Sequence, residues 1–308
     1  MRRIAAIIAT AVIGAGAVVA GCGGDAATTD GGTVSAATAS GTGTGTASAG
    51  NATQAVSRAY AALRATSYVS TGTTTQRIDA SGVDASLRDQ VERQFAGEAA
   101  SLSTRTRFAS PERMAITQEV GGRSQEVVLY DGEVFVSSDG TTWARVTGDA
   151  AQAFSQASAV AQIDPASLFT GLQAQGTTTV DGAPVTRYSG AVDTDSAGAA
   201  VTAALGGLGE LGTAVDDAVQ LRSGTVALGV DDTTGTIARQ DITLEIAFDF
   251  GALARSAGQD DAGGLGTIVM TSAATERITD VGGAVTVEKP TATETVSTIT
   301  ELGEFLTS

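Results

Sequence analysis

The stretch IARQDITLEIAFDF, residues 237–250, decides how this chain folds. Its apolar side chains Ile242, Leu244, Ile246, Phe248 and Phe250 fall at every second position, and Asp241, Thr243, Glu245, Ala247 and Asp249 alternate with them. A period of two is the mark of a strand with one dry and one wet face. Such a strand belongs to an antiparallel sheet covered on a single side. Upstream, DDTTG at 231–235 turns the chain back onto a partner strand at 224–230, and 267–280 is predicted to pair as well.

Working outward, the same reading gives a run of hairpins. Strands are predicted at 105–108, 113–120, 124–130, 133–138 and 142–146, joined by Ser110-Pro111, Gly121-Gly122, Asp131-Gly132 and Asp139-Gly140. Turns this short cannot carry a parallel crossover, so the meander is antiparallel. Another hairpin spans 176–192 about Asp181-Gly182, and 68–76 is a Thr-rich strand. Val56, Ala59, Tyr60 and Leu63 fall at i, i+3, i+4 and i+7, which predicts a helix over 51–66. Helical patterns are also read at 82–102, 148–162, 163–172, 194–221 and in the tail at 302–306. The fold class is α+β: a single large, bent antiparallel sheet with helices packed on its dry face.

The N-terminus carries an address. Arg2 and Arg3 precede an apolar run, 4–19, that ends in Val19-Ala20-Gly21-Cys22. This is the grammar of a secretory signal, and the small-small-Cys ending resembles a bacterial lipobox. A transmembrane anchor is the competing reading, but residues 4–20 sit at the short edge of the ~17–25 residues a span needs. A plain signal peptide beside an incidental cysteine is the other. The small residues before Cys22, its being the sole cysteine, and the chain that follows favour lipidation. Residues 1–21 are therefore read as a signal peptide. Residues 22–50 read as the lipidated cysteine and a tether of Gly, Ala, Thr and Ser, with a reach of about 30 Å. The folded domain is assigned to 51–308, long enough for its own core.

Composition narrows the function. The formal charge of −16 argues against a nucleic-acid partner, since phosphate recognition needs clustered cations. There is no histidine, which removes the usual general base, and Cys22 is committed to the anchor. No catalytic residue, metal site or cofactor is assigned, and the Gly-Thr run at 41–45 lacks the strand and helix of a nucleotide loop. The acid pairs Asp216-Asp217, Asp231-Asp232 and Asp260-Asp261 do not follow calcium-loop spacing and read as turn or surface acids. Trp143 and Tyr188 either cap a pocket mouth or pack on the sheet.

The order of segments resembles a known family. The features are the lipobox, the tether, a first helix ending in Ser-Tyr-Val-Ser, LYDGEVFVSSDGTTWARV at 129–146, VDGAPVTRYSGAVD at 180–193, VDDTTGTIARQDITLEIAF at 230–248 and VTVEKP at 285–290. Together they are similar to LppX/LprG-type lipoproteins of actinobacteria, which share a half-barrel with the LolA and LolB carriers. The resemblance implies a curved sheet with helices on its concave face and an apolar space for acyl chains. It implies an extracytoplasmic protein that binds, and transfers, a lipid or glycolipid while anchored to the cell membrane. The alternative is a non-enzymatic interaction module for an envelope protein partner. Met114, Ile116, Val127, Leu129, Ile242, Leu244, Ile246, Phe248 and Phe250 are the candidate lining of the apolar space. Taken singly, each is equally the core residue of a half-buried strand.

Overall fold

The computed structural model describes residues 49–84, 88, 101–152, 154, 164–206, 218–249, 251–252 and 266–307. Helix α1 (Ala49–Arg64) opens the domain and leads into β1 (Tyr68–Gly82), a central strand of the sheet. From β1 the chain steps outward in strict order through β2 (Ser101–Ser110), β3 (Arg113–Val120), β4 (Arg123–Tyr130), β5 (Glu133–Ser137) and β6 (Ala144–Val146). It then crosses to the opposite edge and returns. A short 3-10 turn (Pro165–Leu168) precedes β7 (Phe169–Val180) and β8 (Ala183–Val192). Helix α2 (Thr194–Gly206) follows, then β9 (Val219–Asp231), β10 (Ile237–Asp249) and β11 (Thr267–Thr279). Strand β11 docks on β1 and joins the two wings. Strand β12 (Glu294–Val296) pairs parallel with β6 at the rim, and α3 (Ile299–Thr307) ends the described chain. The result is one open, curved sheet of 12 strands, antiparallel except at that last pair.

Local chemistry accounts for the hairpins. At Asp131-Gly132 and Asp181-Gly182 both turn residues have positive φ (51° and 81°, 53° and 87°), the backbone of a tight two-residue turn whose twist matches the strands. Asp139-Gly140 behaves differently. The Asp139 carboxylate accepts from the Thr141 and Thr142 backbone N–H groups, each at 2.7 Å, and holds a wider loop. That loop delays β6 to Ala144, two residues beyond its predicted start.

Three helical expectations need correction. The helix read over 82–102 loses both ends to strands, because β1 runs on to pair Gly82 with Thr267, and Ser101 and Leu102 pair with Thr75 and Thr74. The piece read through residue 172 stops at the 3-10 turn. Phe169 to Leu172 is the start of β7, and a short apolar run carries no period to tell the two apart. Of the helix read over 194–221, Thr194–Gly206 is helical, Val219 to Leu221 belong instead to β9, and 207–217 lie outside the described residues. Strand β12 was not expected. The leader, Cys22, the tether, Phe250, the acid pairs at 216–217 and 260–261, and most of 82–102 lie outside the described residues.

Packing divides the sheet into two sides. The main cluster gathers Val56, Tyr60 and Leu63 of α1 with Tyr68, Phe108, Leu172, Leu228, Ile237 and Ile242. At the β6 rim Val136, Ala144, Val146, Ala150 and Val296 form a second cluster, with Leu302 and Phe305 of α3 against it. A smaller cluster sits on the other side of the sheet. There Ala115, Val128, Phe135 and Val287 are buried with Trp143 against them, so the segment carrying VTVEKP straps the outer face of β3–β5. Lys289 in that strap ion-pairs with Glu133 and lies over the Phe135 ring.

Candidate functional site

Strand register places the predicted apolar residues on one side. Met114 faces Leu129 and Ile116 faces Val127 across β3 and β4. Phe108 faces Met114, and Tyr68 faces Phe108, carrying that row into β1. On the other wing Ile242, Leu244, Ile246 and Phe248 face Ala274, Ser272, Met270 and Ile268 of β11. Directly paired residues share a face, so both groups lie on the side where α1 packs. Ile242, Ile246 and Phe248 are buried, while Met114, Ile116, Val127, Leu129 and Leu244 are half-buried. They do not form one cluster. Met114 and Ile242 join the main core, Ile246 and Phe248 form a group with Met270, and Val127 belongs to the β6 rim. Leu244 touches two of these groups; Ile116 and Leu129 join none of the clusters formed among the described residues. Tyr188 packs against the main core and Trp143 against the outer-face cluster.

A recess of ≈ 510 Å³ lies on the opposite, polar face of β7–β10. Gln173, Ser189, Thr225, Asp241 and Thr243 are among its lining residues, and none of the nine apolar candidates is. It is an open concavity whose lining also includes Gly190, Val226 and Ala227. Among the described residues no group of three or more acids, cysteines or histidines is placed to hold a metal ion. Asp231 accepts from the backbone N–H groups of Thr233 and Thr234, and Asp232 accepts from the Thr186 hydroxyl. Both acids are therefore occupied in shaping the turn.

The inner face carries a polar network that alternation alone does not announce. Tyr60 of α1 donates its hydroxyl to Gln240 Oε1 at 2.7 Å, and Gln240 Nε2 donates to Glu276 Oε2 at 2.9 Å. Ser70 also donates to the Glu276 carboxyl. Tyr60, Ser70 and Gln240 are all buried. Burial pushes the Glu276 carboxyl above the usual glutamate range, against the opposing pull of the Ser70 and Gln240 donors. The Tyr60 hydroxyl is pushed up by burial first and by the charge of Glu276 second, with Arg64 pulling the other way. The sequence does hold a signal. Gln240 shares the dry parity of Ile242, and Glu276 shares that of Ala274 and Ile278, so each interrupts an apolar row.

Two expected results test this network. Tyr60→Phe leaves the buried Gln240 oxygen without its donor and lowers stability by about 1–3 kcal/mol, read as a shift in urea midpoint at unchanged slope. Glu276→Gln alters the pH dependence. A carboxyl whose folded pKa is raised adds stability that is fully present below its unfolded value near ~4.3 and is lost as pH rises through the folded pKa. The native chain therefore weakens on that limb and the amide variant does not. Asp131, Glu133 and Glu301, held low by side-chain and backbone donors, keep both proteins weakening as pH falls. Urea unfolding at a series of pH values checks the difference, and identical profiles would contradict it.

No family model and no curated protein sequence matches this chain. Among solved structures it is similar in fold to the lipoprotein LppX of Mycobacterium tuberculosis, at 15% identity and a TM-score of 0.42, with 78% of this chain and 100% of that one covered. It is likewise similar to LprF of Mycobacterium bovis, at 13% identity and a TM-score of 0.37, covering 79% and 98%. MucB, solved in complex with the periplasmic part of MucA, matches at 11% identity and a TM-score of 0.30, covering 78% and 100%.

Proposed function

We propose that this chain is an extracytoplasmic lipoprotein, anchored to the cell membrane through Cys22, whose domain binds and transfers an acylated lipid or glycolipid between the sheet and its helices. The observation that carries the reading is the shared face. Apolar residues from β3, β4 and β10 all point to the helix side, and five of them remain half-buried beside a closed core. Moving an acyl chain through water exposes ~0.8 kcal/mol per CH₂, so a carrier has to offer it a dry surface. The role is binding, without catalysis or cofactor. Native mass spectrometry of the domain purified without detergent, followed by organic extraction, tests it. Co-purifying acylated species are expected. A tightly packed domain with nothing to extract and no affinity for acyl probes would overturn it.

A second reading, docking of an envelope protein partner, is favoured by one feature. Strand β7 is an edge of the sheet, and Gln175 to Thr179 along it are exposed and uncharged. Such an edge is open to strand addition. Recovery of one stable partner from crosslinked envelopes, lost on changing Thr178 to proline, would support that reading over the first.

A further inference from the structure

The recess on the outer face of β7–β10 has a floor and sides of different chemistry. Gln173 faces Ser189, Ser189 faces Ala227, and Ala227 faces Asp241, so one row of the lining crosses all four strands. Thr225 faces Thr243 in the next row. The two middle strands contribute short side chains, Ser189 and Gly190 from β8 and Thr225 and Ala227 from β9. Gln173 on β7 and Asp241 on β10 end the row on its two sides. Gly171, with a φ of 63° and open space where a β-carbon would stand, borders the hollow on the β7 side. At ≈ 510 Å³ it falls within the ~300–1,000 Å³ of small-ligand sites.

Four neutral polar side chains of this lining are not engaged in holding the fold. Gln173, Thr225 and Thr243 are exposed and Ser189 is half-buried, and none of them makes a side-chain hydrogen bond to a described residue. Asp241 is held in one orientation. Its Oδ1 accepts from the Thr275 hydroxyl at 2.8 Å and from Arg239 Nη2 at 3.0 Å, and its Oδ2 accepts from Arg239 Nε at 2.9 Å. An ionised carboxylate offers about four acceptor sites, so one on Oδ2 is left for a ligand. Burial alone would raise the Asp241 carboxyl. The Arg239 and Thr275 donors, with the charges of Arg239 and Arg187, hold it below the ordinary aspartate range, so it is ionised at neutral pH.

We propose that this recess binds a neutral hexose unit, with Gln173, Ser189, Thr225 and Thr243 exchanging hydrogen bonds with its hydroxyls and Asp241 accepting one of them in a charge-assisted bond. Neighbouring strands lie ~4.8 Å apart, so facing groups of the lining are spaced on the scale of one pyranose ring. The small floor at Ala227 receives the C–H edge of that ring. Local charge selects against other classes of ligand. The Asp241 carboxylate repels phosphates and carboxylates, and Arg239 and Arg187 beside it repel ammonium groups. The lining holds no aromatic ring and no large apolar side chain apart from Val226. The same sugar chemistry has two sources, the head group of a glycolipid and a free neutral polysaccharide. The inference stands apart from the acyl-binding reading, because the recess and the apolar candidates lie on opposite faces of the sheet.

The test titrates the full-length chain, purified in a detergent that carries no sugar, and reads binding by calorimetry. The probes are the neutral trisaccharides of glucose, galactose and mannose, trigalacturonic acid, the glucosamine trimer, and a monohexosyl diacylglycerol in nanodiscs. A neutral probe is expected to bind at least about tenfold more tightly than the acidic and basic trimers. Gln173→Ala and Thr225→Ala should each weaken that binding about tenfold, the scale of one net hydrogen bond. Both side chains are exposed and unbonded, so these variants keep the native urea midpoint and their loss of binding is not a loss of fold. Ala227→Leu fills the floor and should abolish binding. A trisaccharide that binds assigns a free polysaccharide as the source. Binding of the hexosyl lipid alone, weakened by the same variants, assigns a head group. Tighter binding of a charged trimer, binding that all three variants leave unmoved, or binding of no probe would overturn the proposal. None of these outcomes bears on whether acylated species co-purify with the protein, so the two readings fail separately.

Discussion

Replacing Phe108 with alanine is expected to lower the unfolding free energy by about 3–5 kcal/mol. The ring is 1% exposed and stacks on Tyr68 with centroids 4.9 Å apart and planes inclined by 22°. Phe108 lies on β2, where the outward-stepping wing β3–β6 meets the β1–β11 junction. Its row, Tyr68–Phe108–Met114–Leu129, crosses four strands on the covered face. Truncation removes burial and leaves a cavity walled by backbone on one side and the Tyr68 ring on the other. Collapse is restricted because Tyr68 is itself only 1% exposed and fixed at the start of β1. The stacked pair contributes a further ~0.5–1.5 kcal/mol beyond area burial. Urea unfolding at constant slope reads the loss directly. A change below about 1 kcal/mol would mean that the site repacks freely and that Phe108 does not tie the two wings together.

Most of the sheet is legible in the sequence because period and turn chemistry agree. The run 237–250 alternates without a break from Asp241 onward, and Asp-Gly at 131–132 and 181–182 fixes two hairpins whose positive φ values other residues resist. Strand β12 is not legible. Three residues, with Glu294 and Thr295 exposed, carry no period, and a parallel partner at β6 leaves no turn signal. Residue 82 and residues 101–102 read as helical for a related reason. Apolar residues at helical spacing, Val83, Leu87 and Leu102, favour a helix there in the sequence, while the strand ends form only through pairing with β11 and β1.

The candidate site divides the same way. Alternation tells which face a residue occupies, and on that count Met114, Ile116, Val127, Leu129, Ile242, Leu244, Ile246 and Phe248 lie together on the covered side. Alternation does not tell which residues of distant strands stand opposite each other. The inner-face row that runs from Gln125 through Gln118, Thr104, Gly72 and Glu276 to Gln240 joins strands as distant in the chain as those of Gly72 and Glu276 (276 − 72 = 204 residues), and its alignment depends on five registers at once. Gln240 and Glu276 are visible singly as polar interruptions of dry rows. Their convergence with Tyr60 appears only when β11 docks between β1 and β10.

Changing Cys22 to alanine is expected to abolish acylation of the chain completely. In the lipobox reading the thiol is the single point at which a diacylglycerol is attached, so no partial modification survives its loss. The consequence for location is equally large. One acyl chain holds a protein to a bilayer only marginally, and stable anchoring needs two such signals, each buried CH₂ contributing ~0.8 kcal/mol. Nothing in the charge of the chain substitutes for them. A formal charge of −16 is repelled overall by anionic headgroups, so net charge supplies no second signal. An unprocessed leader left on the alanine variant could still retain it through residues 4–20, which makes acyl labelling the primary readout. A companion chain starting at Gly23, exported behind an unrelated cleavable leader, isolates the anchor. It should appear wholly in the soluble extracytoplasmic fraction with its fold intact. Persistent acyl label on the Cys22→Ala chain, or sedimentation of the Gly23 chain with membranes, would move the attachment point from the cysteine to the domain, and the sheet's half-buried face would then be the first surface to test for contact with the bilayer.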